Sequence, residues 1–293
     1  MYITTQIQGG LGNQLFQYAT GKAISLRLKR PLHIDVDWFR QGHEGVTPRK
    51  LLLPYLNLKY EIDKLNIAFK PPNRWRRIAQ QFFPTSAYIL NDRPYRFNLS
   101  VNQFQPFHNQ SVYLMGYWQS YRYFESIRNE LLDEIMPAKP LSSNYQTYLE
   151  DIHNSSSAMV HIRRGDYIHL PAAAKIHGFL GLEYYKKGMN ILLEMDAKTK
   201  FFVFSDDIDW AKNNLPNQDQ ICFIESMEEE SAPVQELFLM SQCQKHLIAN
   251  SSLSWWGAWL STNSSSHTIA PKNWTNDLNR NWEDLLPPQW QRI

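Results

Sequence analysis

A chain of 293 residues is long enough for two domains at roughly 100–200 residues each. Its 20% charged and 43% hydrophobic content excludes a disordered chain, and a formal net charge of +2 lacks the basic excess of a nucleic-acid binder. The aromatic share of 14% suits either a dense core or stacking on sugar rings.

In chain order, Tyr2 to Ile7 reads as a strand, Gly9-Gly10-Leu11-Gly12 as a tight turn, and 14–29 as a helix with Asn13 at its N-cap. Leu15, Tyr18, Ala19, Ala23, Ile24 and Leu28 form the apolar stripe of that helix. A second strand, Leu32 to Val36, completes a β-α-β unit. Residues 40–110 lack clean periodicity and read as short helices and loops; the cluster of Arg74, Arg76 and Arg77 around Trp75 reads as a solvated face. A strand at 112–116 follows, then a helix at 121–136 with Phe124, Ile127, Leu131 and Ile135 at helical spacing. Pro137, Pro140 and the serines around Asn154 bracket a linker and a short helix. A first domain over 1–150 and a second over 151–275 result.

The second half is more regular. Strands read at 158–163, 200–205, 221–224, 245–249 and 267–270, and helices at 182–195, 207–214, 232–243 and 252–262. Strict alternation implies an α/β fold with a parallel sheet covered on both faces, and ligands bind such sheets outside the carboxyl ends of the strands. Cys222 and Cys243 read as reduced core residues without metal-ligand spacing. No run of about 18 apolar residues exists, and MYITTQIQGG has no signal-peptide apolar region. The expectation is a cytoplasmic protein with at most peripheral membrane contact.

Four runs lie at predicted strand ends. In Gly9-Gly10-Leu11-Gly12-Asn13-Gln14, glycines let a ligand approach the backbone, and the helix N-terminus suits a phosphate; Gly10, Gly12 and Asn13 are the candidates. In His161-Ile162-Arg163-Arg164-Gly165-Asp166-Tyr167, strand alternation puts His161 and Arg163 on one face, where a guanidinium fork matches pyrophosphate oxygens, and Arg164 on the other in a structural role; a surface ion pair with Asp166 or a solvated loop is the alternative. In Phe202-Val203-Phe204-Ser205-Asp206-Asp207, the carboxylates suit a base or a ribose, or the N-cap of the next helix. In Asn250-Ser251-Ser252-Leu253-Ser254-Trp255-Trp256, hydroxyls and new helix N–H groups make an anion nest, or an ordinary cap over buried tryptophans.

These runs, with GGLGNQLFQYATGKAIS, GYWQSYRYF, HIRRGDY, FVFSDD, NSSLSWWGAWL and APKNWT in order, resemble the α1,2-fucosyltransferase family. The resemblance covers nearly the full length and is weakest over 40–110. It implies a GT-B fold, two Rossmann-like domains with parallel sheets facing a central cleft, GDP-fucose held by the second half and acceptor by the first. Residues 276–293 would pack back on the first domain. Arg163 would hold the diphosphate, His161 and Asp206 or Asp207 the guanosine, and Ser251 and Ser252 the phosphate, with Gly10, Gly12 and Asn13 closing the site. Trp118 stands where the family often has Phe, a departure expected to bear on acceptor contacts. The implied acceptor is a terminal β-galactoside of an oligosaccharide or lipid-linked glycan.

GDP-fucose is β-linked, so an α product requires inversion. Asp35-Val36-Asp37 has the form of a metal-binding pair, but its place in the first half favours a structural or acceptor-facing role, and no metal or other cofactor is expected. Asp166, His177 and Glu183 are the candidate bases. A fucosyltransferase of α1,6 or O-linked specificity and a non-catalytic carbohydrate-binding protein are the alternatives.

Overall fold

The computed structural model describes residues 1–41, 47–62, 88–97, 110–165, 168, 171–216, 219–264, 266–277 and 282–293. Asp166 and the cluster at 74–77 lie outside the described residues.

Two parallel sheets organise the chain. The first contains β1 (Ile3–Gln6), β2 (Leu32–Asp35), β3 (Glu61–Ile62), β4 (Tyr88–Asn91) and β5 (Val112–Met115), in the order β3-β2-β1-β5-β4. Ile3 lies opposite Leu32 on one side and Val112 on the other. The second contains β6 (Ser156–Ile162), β7 (Thr199–Ser205), β8 (Ile221–Phe223), β9 (Lys245–Leu247), β10 (His267–Ala270) and β11 (Gln291–Arg292), in the order β11-β10-β9-β6-β7-β8. β6 is buried continuously from Ser157 to Ile162, as a central parallel strand covered on both faces must be. The helices are α1 (Leu11–Leu28), α2 (Arg128–Glu134), α3 (Ser143–His153), α4 (Pro171–Ile176), α5 (Leu182–Met195), α6 (Ile208–Asn214), α7 (Ala232–Gln242) and α8 (Ser252–Trp259).

Four expectations for the first half need correction. The described parts of 40–110 include β3 and β4, which extend the sheet at both edges. The helix expected over 121–136 is two 3-10 turns, Tyr121–Tyr123 and Glu125–Ile127, before α2 begins. The first helix starts at Leu11 with Gly10 at its cap, so Asn13 is inside it. Nor does α1 have one apolar stripe. Gln14, Gln17, Thr20 and Lys22 are buried with its apolar residues, because sheet, loop and α8 surround it.

The two halves share a core. Phe16 of α1 lies 4.5 Å from Trp255, Phe124 stacks on Trp256 at 5.2 Å, and Trp259 meets Phe124 edge-on at 5.3 Å. Arg128 donates to the carbonyls of Trp259 (3.0 Å) and Ser261 (2.7 Å), gripping the C-terminal end of α8 from the first half. The C-terminal segment touches both halves. Asp284 pairs with Arg122 at 2.7 Å and accepts from Phe97 N at 2.9 Å, after which the chain returns to the second sheet as β11. Helix α3 packs through Tyr145 and Ile152 with the second half; the Tyr145 hydroxyl donates to Glu236 of α7 at 3.0 Å. Among the described residues, no helix is long and apolar enough to cross a membrane.

Candidate active site

Strand order locates the site. In the second sheet the chain proceeds from β6 outward through β7 and β8, then returns to begin again at β9 on the other side of β6. The switch point therefore lies between β6 and β9, the place where open α/β sheets leave a crevice for ligands. In the first sheet it lies between β1 and β5. The runs singled out in the sequence follow these strands.

Arg163 and Arg164 follow β6, and Asp206 and Asp207 follow the adjacent β7. Arg163 pairs with Asp206 at 3.0 Å, both side chains about one-fifth exposed. Asp206 also accepts from Arg164 N (2.8 Å) and Gly165 N (3.0 Å). Arg164 pairs with Asp207 and lies 5.0 Å over the Trp210 ring, while Asp207 caps α6 by accepting from Trp210 N at 3.2 Å. The second arginine thus anchors the loop from which the first projects. His161 is buried; burial pushes its pKa down to about 4, with Asp206 opposing and Arg163 adding to the shift, so the ring is neutral near pH 7. Its Nδ1 is buried and makes no hydrogen bond among the described residues.

On the other side of β6, Ser251 and Ser252 open α8, with Ser251 extended at φ −131° as its N-cap. Asn250 does not belong with them. It is buried, and its amide donates to the carbonyls of His177 (3.1 Å), Gly178 (3.2 Å) and Trp274 (3.4 Å), tying two loops together. Burial pushes the His177 pKa down, a bond with the Trp274 backbone opposes this, and nearby Arg163 adds to it.

The N-termini of α1 and α8 meet. A Cβ on Gly12 would fall 2.4 Å from the carbonyl carbon of Ser252, and the Trp256 indole donates to Gly12 O at 3.0 Å. Gly12 is therefore a docking residue. Gly10 has nothing within 4 Å of its notional Cβ and keeps its backbone open. Asn13 accepts from Gln119 Nε2 at 2.8 Å, linking α1 to the loop after β5. Two amides that sequence reasoning passed over fix this end. Gln14 donates to Gly9 O (2.9 Å) and Lys50 O (2.8 Å) and accepts from Leu52 N (2.9 Å). Gln17 accepts from Gln8 N (2.9 Å) and donates to Gly116 O (3.2 Å). Their signal was helical spacing of two amides on a helix entering a glycine loop.

Over residues 2–293 the sequence matches Glycosyl transferase family 11. The chain belongs to this family. An alpha-1,2-colitosyltransferase of Escherichia coli is 34% identical, covering 99% of this chain and 98% of that one. The O-antigen biosynthesis glycosyltransferase WbnK of the same organism is 32% identical over 92% and 93%. A galactoside 2-alpha-L-fucosyltransferase, SEC1 of Bos taurus, is 22% identical over 88% and 64%. Among solved structures, POFUT1 in complex with GDP aligns at TM-score 0.50 with 14% identity, covering 92% of this chain and 97% of that one. The architecture is GT-B.

Glu183 at the start of α5 is 88% exposed and pairs with Lys186 at 3.2 Å. Asp35 accepts from Asp37 N (2.9 Å) and Tyr113 OH (2.5 Å), and Asp37 pairs with Arg40 (2.8 Å), so both carboxylates serve the loop after β2. Trp118, expected to bear on acceptor contacts, is fully buried against Tyr123. Cys222 and Cys243 are both free thiols.

Proposed function

We propose that this chain transfers L-fucose from GDP-fucose to the 2-hydroxyl of a terminal β-galactoside, with inversion at C1 and without a divalent cation. The observation that carries the reading is the position of Arg163 at the switch point of the second sheet, one strand from the α8 N-terminus. There the guanidinium and helix N–H groups meet the charge that builds on the leaving β-phosphate oxygen. Neutral His161 and the Asp206–Asp207 pair suit the guanosine end. The activities for which the relatives are named, alpha-1,2-colitosyl and galactoside 2-alpha-L-fucosyl transfer, support the linkage. The acceptor is an oligosaccharide or lipid-linked glycan ending in galactose.

The test is GDP release from GDP-fucose with lactose in excess chelator. Lactose-dependent turnover should survive chelation and fall about 10²–10³-fold in Arg163→Ala. A wild type that does not bind GDP-fucose overturns the reading. A second donor is favoured by the 34% identical colitosyltransferase. Colitose is L-fucose lacking its 3-hydroxyl, so kcat/KM with GDP-colitose beside GDP-fucose identifies the preferred sugar.

A further inference from the structure

Asp92 follows β4, which lies against β5 at the switch-point side of the first sheet. Its backbone N donates to Met115 O at 2.8 Å, and the chain after β5 then turns back over its carboxylate. That turn is unusual. Gly116 has φ 123° and Trp118, not a glycine, has φ 56°. A Cβ on Gly116 would fall 2.2 Å from Asp92 Cβ. Backbone held in such conformations gathers at functional sites.

The two carboxylate oxygens differ. Oδ2 accepts from Tyr117 N at 3.2 Å and Trp118 N at 2.9 Å. Oδ1 is buried and makes no hydrogen bond among the described residues. Burial pushes the Asp92 pKa up, against the amides of Trp118, Tyr117 and Arg93, and no charged side chain contributes. The Arg93 and Arg96 residues that follow are exposed, and Arg122 is paired with Asp284. A raised carboxyl pKa moves toward the range useful to a base. The turn over Asp92 is joined to α1, whose N-terminus meets that of α8: Gly116 O accepts from Gln17, Gln119 donates to Asn13, and neighbouring Gly12 abuts Ser252.

We propose that Asp92 is the base that activates the acceptor. This rests on the transferase reading above. As the acceptor oxygen bonds to C1 of the donor sugar, its proton passes to the Asp92 carboxylate. The bond from C1 to the β-phosphate oxygen breaks, and its electron pair leaves with GDP. The base thus comes from the acceptor half and the leaving-group cation, Arg163, from the donor half.

Asp92→Asn separates this from a structural role, because the amide oxygen still accepts from Tyr117 N and Trp118 N but takes no proton. The expected result is an unchanged Tm, unchanged GDP affinity by calorimetry, and kcat with GDP-fucose and lactose lower by about 10²–10⁴-fold. In the wild type kcat should rise with pH as Asp92 ionises, and this acid limb should vanish in Asp92→Asn. A variant keeping wild-type kcat and the acid limb overturns the proposal. So does one that loses stability or GDP binding in step with activity, since Asp92 would then only fasten the turn. A wild type without transfer sinks the function proposed above; an active wild type with an equally active Asp92→Asn sinks this assignment alone.

Discussion

The two strand-end surfaces that meet at Gly12 and Ser252 are built from different chemistry. The second-half surface is ionic: Arg163 with Asp206 and Arg164 with Asp207, none of the four side chains more than about a quarter exposed. The first-half surface around β1 and β5 is held by neutral amides: Gln14, Gln17, Asn13 and Gln119 bond loops to α1, with the Asp92 carboxylate beneath the turn after β5. An ionic surface suits a charged diphosphate, and its pairs respond to salt and to mutation of either partner. An amide-fixed surface presents backbone in a set shape and suits a neutral sugar whose hydroxyls need directional partners. The asymmetry also assigns stability. Gln14 and Gln17 are buried and bond backbone groups, so they should matter to folding more than the paired charges do.

Breaking the contact between the surfaces should have the largest effect on stability. Gly12→Ala drives a methyl into the Ser252 peptide, which belongs to backbone and cannot rotate away. Overpacking typically costs about 1–3 kcal/mol, and the upper end is expected here. Calorimetry should show Tm lower by several degrees, in one transition if the aromatic core joins the halves into one unit. Gly10→Ala is the internal comparison, since its Cβ meets nothing within 4 Å. Equal Tm losses for the two would mean that Gly12 acts through backbone freedom and not through docking.

The next effect tests the amide surface. Gln14→Ala leaves Gly9 O, Lys50 O and Leu52 N without their side-chain partner in a buried setting. Groups so stranded cost roughly 1–3 kcal/mol. Urea denaturation should show the loss, and hydrogen exchange should rise at the Leu52 amide. Full retention of stability would mean that water replaces the amide and that the loop is held elsewhere.

The same asymmetry explains what could be read from the sequence. In the second half, the helix expected at 182–195 is α5 (Leu182–Met195), and the strand expected at 267–270 is β10 (His267–Ala270). Short apolar strands and amphipathic helices carry distinct periods there. In the first half the periods mislead. Phe124, Ile127, Leu131 and Ile135 fit a helix, but the step of three from Phe124 to Ile127 fits a 3-10 turn equally, and the chain forms one. β3 has two residues and β4 four, too few for alternation to register. Glycines at 9–12 read as a breaker, whereas α1 begins inside them because Gly12 must be helical and small to meet α8. Arg163, Arg164, Asp206 and Asp207 stood out in the sequence as charges at the ends of apolar strands, and the structure brings them together as two ion pairs. Gln14, Gln17 and Asp92 were not, because a polar residue on a helix or after a strand looks solvent-facing until its neighbours are known.

The smallest expected effect concerns Trp118, where sequence and structure assign different roles. Its ring is fully buried, its indole Nε1 makes no hydrogen bond among the described residues, and its contribution to the turn is the backbone N that donates to Asp92. Trp118→Phe keeps that backbone group, removes a buried donor without a partner, and leaves a small void. These terms oppose each other, so the net change should stay within about 1 kcal/mol. Because no part of the ring reaches the surface, the KM for lactose should not move either. A several-fold KM change at constant Tm would show that acceptor specificity is transmitted through the packing of the turn. The first-half surface would then read its ligand from beneath, through Trp118 and Asp92 together, and not through exposed side chains alone.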